Sequence, residues 1–300
     1  MVRGNLPMPE DIESKSPWTP LKIIQWAVPY LTQKGILNAR FDIEILIAFA
    51  LQIDRLKVYL QFDRPLDSSE LDLIRALVKR RVQHEPIQYI TGKREFYGLP
   101  FRVSPSVLIP RPETEQLVEL AIQYLKGIPE EKRSVLDLGT GSGCIALSIL
   151  KNLPCQVWAV DISENALNIA LENAKELRLE GAVHWRQGNW FSALGGNDPD
   201  QFQVIVSNPP YIALNEENEL APEVKEFEPP EALFAGESGM DSYRDLAQSL
   251  NKRLVLGGIA LIEMHSHRYE SISKLFEGPN LKGTLYPDLQ GLPRILKLEK

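Results

Sequence analysis

Residues 208–211 read Asn208-Pro209-Pro210-Tyr211, and they break the apolar run FQVIVS abruptly. Proline locks φ and carries no N–H, so the Pro209 carbonyl can be held outward as a fixed acceptor. The Asn208 side-chain oxygen is a second acceptor, and Tyr211 supplies an aromatic face. Two acceptors beside a ring suit a planar group that bears –NH2. Pro-Pro alone is ordinary loop punctuation. It gains meaning only if a strand delivers it to a ligand pocket.

A second constellation lies upstream. In VLDLGTGSGC, Gly139, Gly141 and Gly143 alternate with Thr140 and Ser142 between a predicted strand and a predicted helix. Glycines there permit positive φ and close approach of a ligand to the backbone. Asp161 ends the next predicted strand, placed to accept hydrogen bonds from ribose hydroxyls. The dinucleotide fingerprint needs G-x-x-G spacing at the third glycine, and that position is Cys144. The pattern therefore fits S-adenosylmethionine, which has the adenosine ribose but no pyrophosphate, better than a nicotinamide dinucleotide. A purely structural glycine turn would not need the acid 18 residues beyond Gly143.

The elements that must position these groups follow from periodicity. From Arg111 onward, predicted helices alternate with the runs SVLDLG, QVWAVD, VHWRQG, FQVIVSN and GGIALIEM, and a terminal pair LKGTLYPD/PRILKLE follows. Such alternation predicts a mostly parallel sheet covered on both faces, with an antiparallel hairpin at one edge. FQVIVSN would be its fourth parallel strand, emerging beside the glycine turn. Ligands in open α/β sheets bind outside the carboxyl ends of the strands, so Asn208 is expected beside the cofactor pocket. Residues 20–88 show helical spacing, with Ser68 or Ser69 as an N-cap and Pro29 expected to kink or end the first helix. Residues 89–110 switch to aromatic and β-branched residues with Gly and Pro turns, the pattern of a β-hairpin linker. The predicted organisation is a leader over 1–19, a helical domain over 20–88, the hairpin over 89–110 and an α/β domain over 111–300.

Composition bounds the function. The chain has 300 residues, 44% hydrophobic and 24% charged, and a net charge of −7. Residues 1–110 hold 15 Lys+Arg against 12 Asp+Glu, leaving the acidic excess to the remainder. An acidic α/β domain is a poor match to a nucleic-acid backbone, which rewards clustered Lys and Arg. Cys144 and Cys155 flank apolar segments and read as small core residues in a reducing compartment. No apolar run reaches the roughly 20 residues that span a bilayer, and the N-terminus lacks a secretory h-region, so a cytoplasmic protein is expected. His265 and His267 are too few for a metal site, so no metal is expected. Glu113 and Glu115 suit a helix start, and the basic run 77–81 reads as a solvated helix end.

With its glycine turn, Asn-Pro-Pro-Tyr is similar to the amino-group methyltransferases that use S-adenosylmethionine. PIQYITGKREFYGLPFRVSPSVLIPRPETE (86–115), NWF (189–191), FEPPEALFAGESGMDSYR (227–244) and DLQGLPR (288–294) narrow this. Over residues 20–300 the chain resembles the release-factor glutamine methyltransferases, the HemK/PrmC family. The resemblance implies a Rossmann-like class I methyltransferase domain behind a helical substrate-docking domain. It implies methylation of the Gln side-chain amide in the Gly-Gly-Gln motif of class I peptide chain release factors, leaving S-adenosylhomocysteine.

By this resemblance Gly139, Thr140, Gly141, Ser142, Gly143, Asp161, Asn189, Trp190 and Asn208 contact the cofactor. Asn208, Pro209, Pro210 and Tyr211 bind the glutamine, with Asn208, Pro209 and Tyr211 as the catalytic set. Phe101 and Arg111 shape the mouth. The chain departs from the family at Asn189, where Asp usually precedes the Trp, and at His265, where Glu-x-Gly is usual. A monomer is expected, with no membrane partner and no nucleic acid as primary substrate. Two alternatives remain at this point: an amino methyltransferase acting on adenine or guanine in DNA or RNA, where the same clamp suits a flipped base, and a non-enzymatic S-adenosylmethionine-binding assembly factor.

Overall fold

A computed structural model describes residues 17–278 and 280–300. The predicted leader over 1–19 lies outside the described residues except for its last three. Of these, Trp18 packs on the helical core and Thr19 caps the first helix through its side chain.

The chain divides into two compact units: the described residues up to Gly92 together with Pro222–Phe227, and Lys93–Ala221 with Glu228–Lys300. The first unit holds helices α1 (Pro20–Gln33), α2 (Ala39–Ala50), α3 (Arg55–Tyr59), α4 (Ser68–Val82) and α5 (Ile87–Thr91). Its core is built from one face of each long helix, among them Ile23, Leu31, Ile43, Leu46, Ile74 and Val78. The N-cap of α4 is Asp67, one residue before the two serines read as candidates. Its carboxylate accepts from the Glu70 N–H while the Glu70 side chain accepts from the Asp67 N–H, a closed capping box. Pro29, expected to kink or end α1, does not end it: the helix runs through to Gln33. Pro29 and Gln25, four residues before it, are both exposed, so water can satisfy the carbonyl that loses its partner.

Arg81 in α4 is buried and reaches three acceptors of the same unit. Its Nε donates to Asp42 Oδ2 at 2.6 Å, and its other nitrogens donate to the Glu85 carbonyl and to Glu223. Glu223 lies in α9 (Pro222–Phe227), so a segment far along the chain joins the helical unit through this pair. Arg81 therefore belongs to the fold, although the run that contains it reads as a solvated helix end.

The second unit begins with a hairpin, β1 (Lys93–Phe96) and β2 (Leu99–Arg102). A seven-stranded sheet follows, built from β3 (Ser134–Leu138), β4 (Gln156–Asp161), β5 (Val183–Gln187), β6 (Phe202–Ser207), β7 (Leu254–Glu263), β8 (Lys282–Pro287) and β9 (Pro293–Glu299). The order is β5-β4-β3-β6-β7-β9-β8, with the first five parallel and β9 antiparallel to both β7 and β8. The predicted parallel sheet and terminal hairpin are both present, and β9 inserts between β7 and the edge strand β8.

Alternate residues of each strand feed two cores. Val135, Val157, Val204 and Ile259 meet α6 (Glu115–Leu125) and α7 (Cys144–Asn152) on one face. Leu136, Trp158, Ile205 and Ala260 meet α11 (Asp241–Arg253) and α12 (Tyr269–Leu275) on the other. Burial on both faces explains why these strands read as continuous apolar runs rather than alternating ones. The strand order reverses beside β3, between β4 and β6, which opens a crevice at the carboxyl ends of β3 and β6.

Candidate active site

Both constellations arrive at that crevice. The glycine turn follows β3, Asp161 ends β4, and Asn208 follows β6. One pocket is lined by Gly139, Thr140, Gly141, Ser142, Asp161, Asn189, Trp190, Asn208, Pro210 and Arg111. Ten of the residues singled out in the sequence thus share one wall. Gly143, Pro209, Tyr211 and Phe101 do not.

The glycine turn is held from beneath. Asp137 is fully buried, and its Oδ2 accepts from the Thr140 hydroxyl at 2.7 Å and from the Ala146 N–H at 3.2 Å. Burial pushes its carboxyl up to about 7, and its Oδ1 has no hydrogen-bond partner among the described residues. Asn173, also fully buried, ties the turn to the hairpin. Its amide donates to the Ser142 and Arg102 carbonyls, and its oxygen accepts from the Arg102 N–H.

Gly143 caps α7 with φ +78°, and a Cβ there would stand 3.1 Å from Leu147 Cδ1 and 3.2 Å from Ala170. The position therefore demands close packing of helix on sheet. Asp161 divides its carboxylate between two backbone donors, the Gly141 N–H at 2.8 Å and the Ser163 N–H at 2.9 Å. Burial raises its pKa, and the N–H groups of Ser163, Gly141 and Ile162 oppose that shift. A carboxylate offers about four lone-pair directions, so acceptor capacity remains for a ligand. Trp190 adopts φ +45°, strained for a bulky residue. The strain lies in the pocket wall, where such outliers cluster at functional sites.

The Asn208 carboxamide is oriented by the protein. Its Nδ2 donates to Thr114 Oγ1 at 3.1 Å, and the Thr114 hydroxyl donates to Glu263 Oε2 at 2.7 Å. The amide nitrogen is thus engaged, and Oδ1 remains as an acceptor on the pocket wall. Arg111, also in the wall, donates to the buried Glu228 at 2.5 Å.

One expectation is corrected. Phe101 has no exposed surface and packs edge-on against Phe96, ring centroids 6.1 Å apart, within the sheet unit's core. It anchors the hairpin and does not shape a mouth. Tyr211 is outside the residues that line the pocket. The ring packs edge-on against His265 at 5.6 Å, and burial pushes its hydroxyl up to about 12. Its backbone is fixed by a close approach: Gly239 has φ +69°, and a Cβ there would stand 2.5 Å from the Tyr211 carbonyl oxygen. Pro209 is buried.

Sequence reasoning missed Thr114, Asp137 and Glu263. Asp137 sits inside the quoted strand VLDLG, and Thr114 inside RPETE. Nothing in the spacing marks Thr114 and Glu263 as partners, because 149 residues separate them.

The doubly covered parallel sheet, its switch-point crevice and the glycine turn with its acid define a Rossmann-like methyltransferase domain that follows a helical unit in the sequence. The PrmC N-terminal domain family matches residues 22–92, and the methyltransferase small domain family matches residues 118–224. The release factor glutamine methyltransferase of Rhodopirellula baltica is 40% identical over 297 residues, covering 97% of this chain and 99% of that one. That of Geobacter sulfurreducens is 42% identical over 260 residues, covering 86% and 88%. The chain belongs to the release factor glutamine methyltransferase family. Among solved structures, the hMettl16 catalytic domain bound to the MAT2A 3'UTR hairpin 6 superposes with TM-score 0.51 at 16% identity, covering 71% of this chain and 79% of that one. That likeness is one of fold. Among the described residues no helix is long and apolar enough to cross a membrane.

Proposed function

We propose that this protein transfers a methyl group from S-adenosylmethionine to the side-chain amide nitrogen of a glutamine in a class I peptide chain release factor, within its Gly-Gly-Gln motif. The observation that carries the reading is the Asn208 carboxamide: with Nδ2 held by Thr114, its Oδ1 is left to receive a donor in the pocket that the glycine turn and Asp161 line.

The pocket fits the cofactor. Asp161 keeps acceptor capacity suited to ribose hydroxyls, the backbone of Gly139 and Gly141 forms an open wall, and the orphaned buried Asp137 Oδ1 leaves an acceptor under the turn. Asn189 and Trp190 complete the wall. When bound, the cofactor supplies an activated methyl on a sulfonium. The protein's task is then positioning. An amide nitrogen is a poor nucleophile because its lone pair is delocalised, so the geometry in which it is held matters most. Asn208 Oδ1 accepts from the –NH2 group, orients it and favours the positive charge that grows on nitrogen. Pro209, buried, and Tyr211 hold the turn that presents it.

The helical unit seats the release factor. Its match to the PrmC N-terminal domain supports this, as do Leu37, Leu56 and Leu60, which are 97%, 72% and 84% exposed on it. The acidic α/β domain argues against nucleic acid as primary substrate. The direct comparison is radiolabelled methyl transfer to an intact release factor and to an adenine-bearing DNA duplex, side by side. Label enters the release factor and not the duplex. Labelled duplex with an unlabelled release factor would reverse the reading in favour of a nucleobase methyltransferase.

A further inference from the structure

Asn208 is useful only if its oxygen, and not its –NH2 group, faces the substrate. The two ends of a carboxamide have nearly the same shape, so packing alone does not choose between them. Hydrogen bonding does, and here the choice is made by residues from two other parts of the chain.

Thr114 closes the short 3-10 turn Pro112–Thr114, Glu263 ends β7, and Asn208 follows β6, the strand that pairs with β7. Thr114 is 2% exposed and Glu263 1%. The Glu263 backbone is itself anchored, its carbonyl accepting from the buried Tyr243 hydroxyl at 3.2 Å. A hydroxyl has one proton. Thr114 commits that proton to Glu263 Oε2, so toward Asn208 its oxygen can only accept. Asn208 must therefore present Nδ2 to Thr114. A reversed carboxamide would set Oδ1 against the Thr114 lone pairs and turn –NH2 toward the substrate's own –NH2.

We propose that Thr114 and Glu263 are positioning residues that fix the polarity of the Asn208 carboxamide and so make Asn208 an acceptor for the substrate amide. The inference rests on the reading of Asn208 as that acceptor. It gives a reason for burying a carboxylate that touches neither pocket nor solvent, since a charge placed there costs free energy unless hydrogen-bonded.

The relay depends on Glu263 being ionised. Burial raises its carboxyl to about 7, the Thr114 hydroxyl, Arg294 and Arg111 hold it down, Glu113 pushes it up, and Tyr211 lies nearby. Above that pH the carboxylate accepts and the polarity is set. As pH falls through it, a protonated Glu263 can donate to Thr114, whose own proton is then free to turn toward Asn208. Turnover therefore declines on the acid side.

The test uses the full chain with a release factor substrate. Thr114→Val removes the hydroxyl at nearly constant shape, Thr114→Ser restores it, and Asn208→Ala serves as reference. Thr114→Val is expected to lose roughly tenfold or more in kcat, the scale of one hydrogen bond realised in the transition state. KM and cofactor affinity should change by less than about threefold, and Thr114→Ser should recover most of the loss. Should Thr114→Val fail to bind cofactor, Glu263→Gln decides. Its side chain cannot titrate, so the acid decline of the wild type should vanish. Wild-type kcat in Thr114→Val, or an unchanged acid decline in Glu263→Gln, overturns the relay while Asn208→Ala remains impaired. Full activity in Asn208→Ala overturns the underlying reading and the relay with it.

Discussion

Asn208→Ala lowers kcat for release factor methylation by about two to three orders of magnitude, the range seen when one preorganised polar contact to a developing charge is deleted. The substitution removes the only side-chain acceptor of the clamp and leaves Thr114 Oγ1 without its donor. Little else changes. Asn208 is half-buried at the end of β6, and Ser207 before it is pinned independently, its hydroxyl donating to the Leu138 carbonyl at 2.8 Å. Pro209 and Pro210 keep their fixed φ in the variant. The fold and cofactor affinity should survive, so the loss should appear in kcat with KM little altered, the pattern of an interaction made chiefly in the transition state. Steady-state methylation, with cofactor binding measured separately, checks this. Turnover near that of the wild type would show that the amide is held by something else.

Asp161→Ala weakens S-adenosylhomocysteine binding by roughly 10- to 100-fold, corresponding to about 1.5–3 kcal/mol for hydrogen bonds to a charged group. Two losses combine. The ribose loses its acceptor, and the glycine turn loses the bond from the Gly141 N–H that helps fix its shape. Asp161→Asn should fall between, because an amide oxygen can still accept from one backbone N–H. Isothermal titration calorimetry with the product resolves the series. Equal affinities across wild type, Asn and Ala would remove the ribose assignment.

The fold was legible from the sequence wherever the signal is local. Strand–helix alternation pointed to the parallel sheet because β3, β4, β6 and β7 are buried on both faces and so form mostly apolar runs. The glycine turn and the acid ending β4 are a spacing signal over 23 residues, from Gly139 to Asp161. What the sequence hid is what depends on contact between distant segments. Phe101 reads as an aromatic near a mouth, yet the hairpin folds so that its ring fills the core against Phe96. Gly143 looks like a third ligand-facing glycine, yet Leu147 and Ala170 occupy the space its Cβ would need. Pro29 signals a kink or an end, yet α1 continues through it, with Pro29 and Gln25 both exposed. Glu263 drew notice only as the start of a segment that departs from its family at His265. Its bond to Thr114 joins β7 to a turn on the far side of the sheet's connectivity, and no window of sequence contains both.

The assembled site is therefore a local cradle, legible in advance, joined to a clamp whose polarity is a tertiary property. Its central claim is chemical: the acceptor at Asn208 receives a glutamine amide. Tandem mass spectrometry of a release factor incubated with the protein and S-adenosylmethionine tests this most directly. A single added methyl that fragments with the Gln side chain of Gly-Gly-Gln is the predicted result. A methyl on any other residue, or none on that glutamine after many turnovers of cofactor, would contradict it.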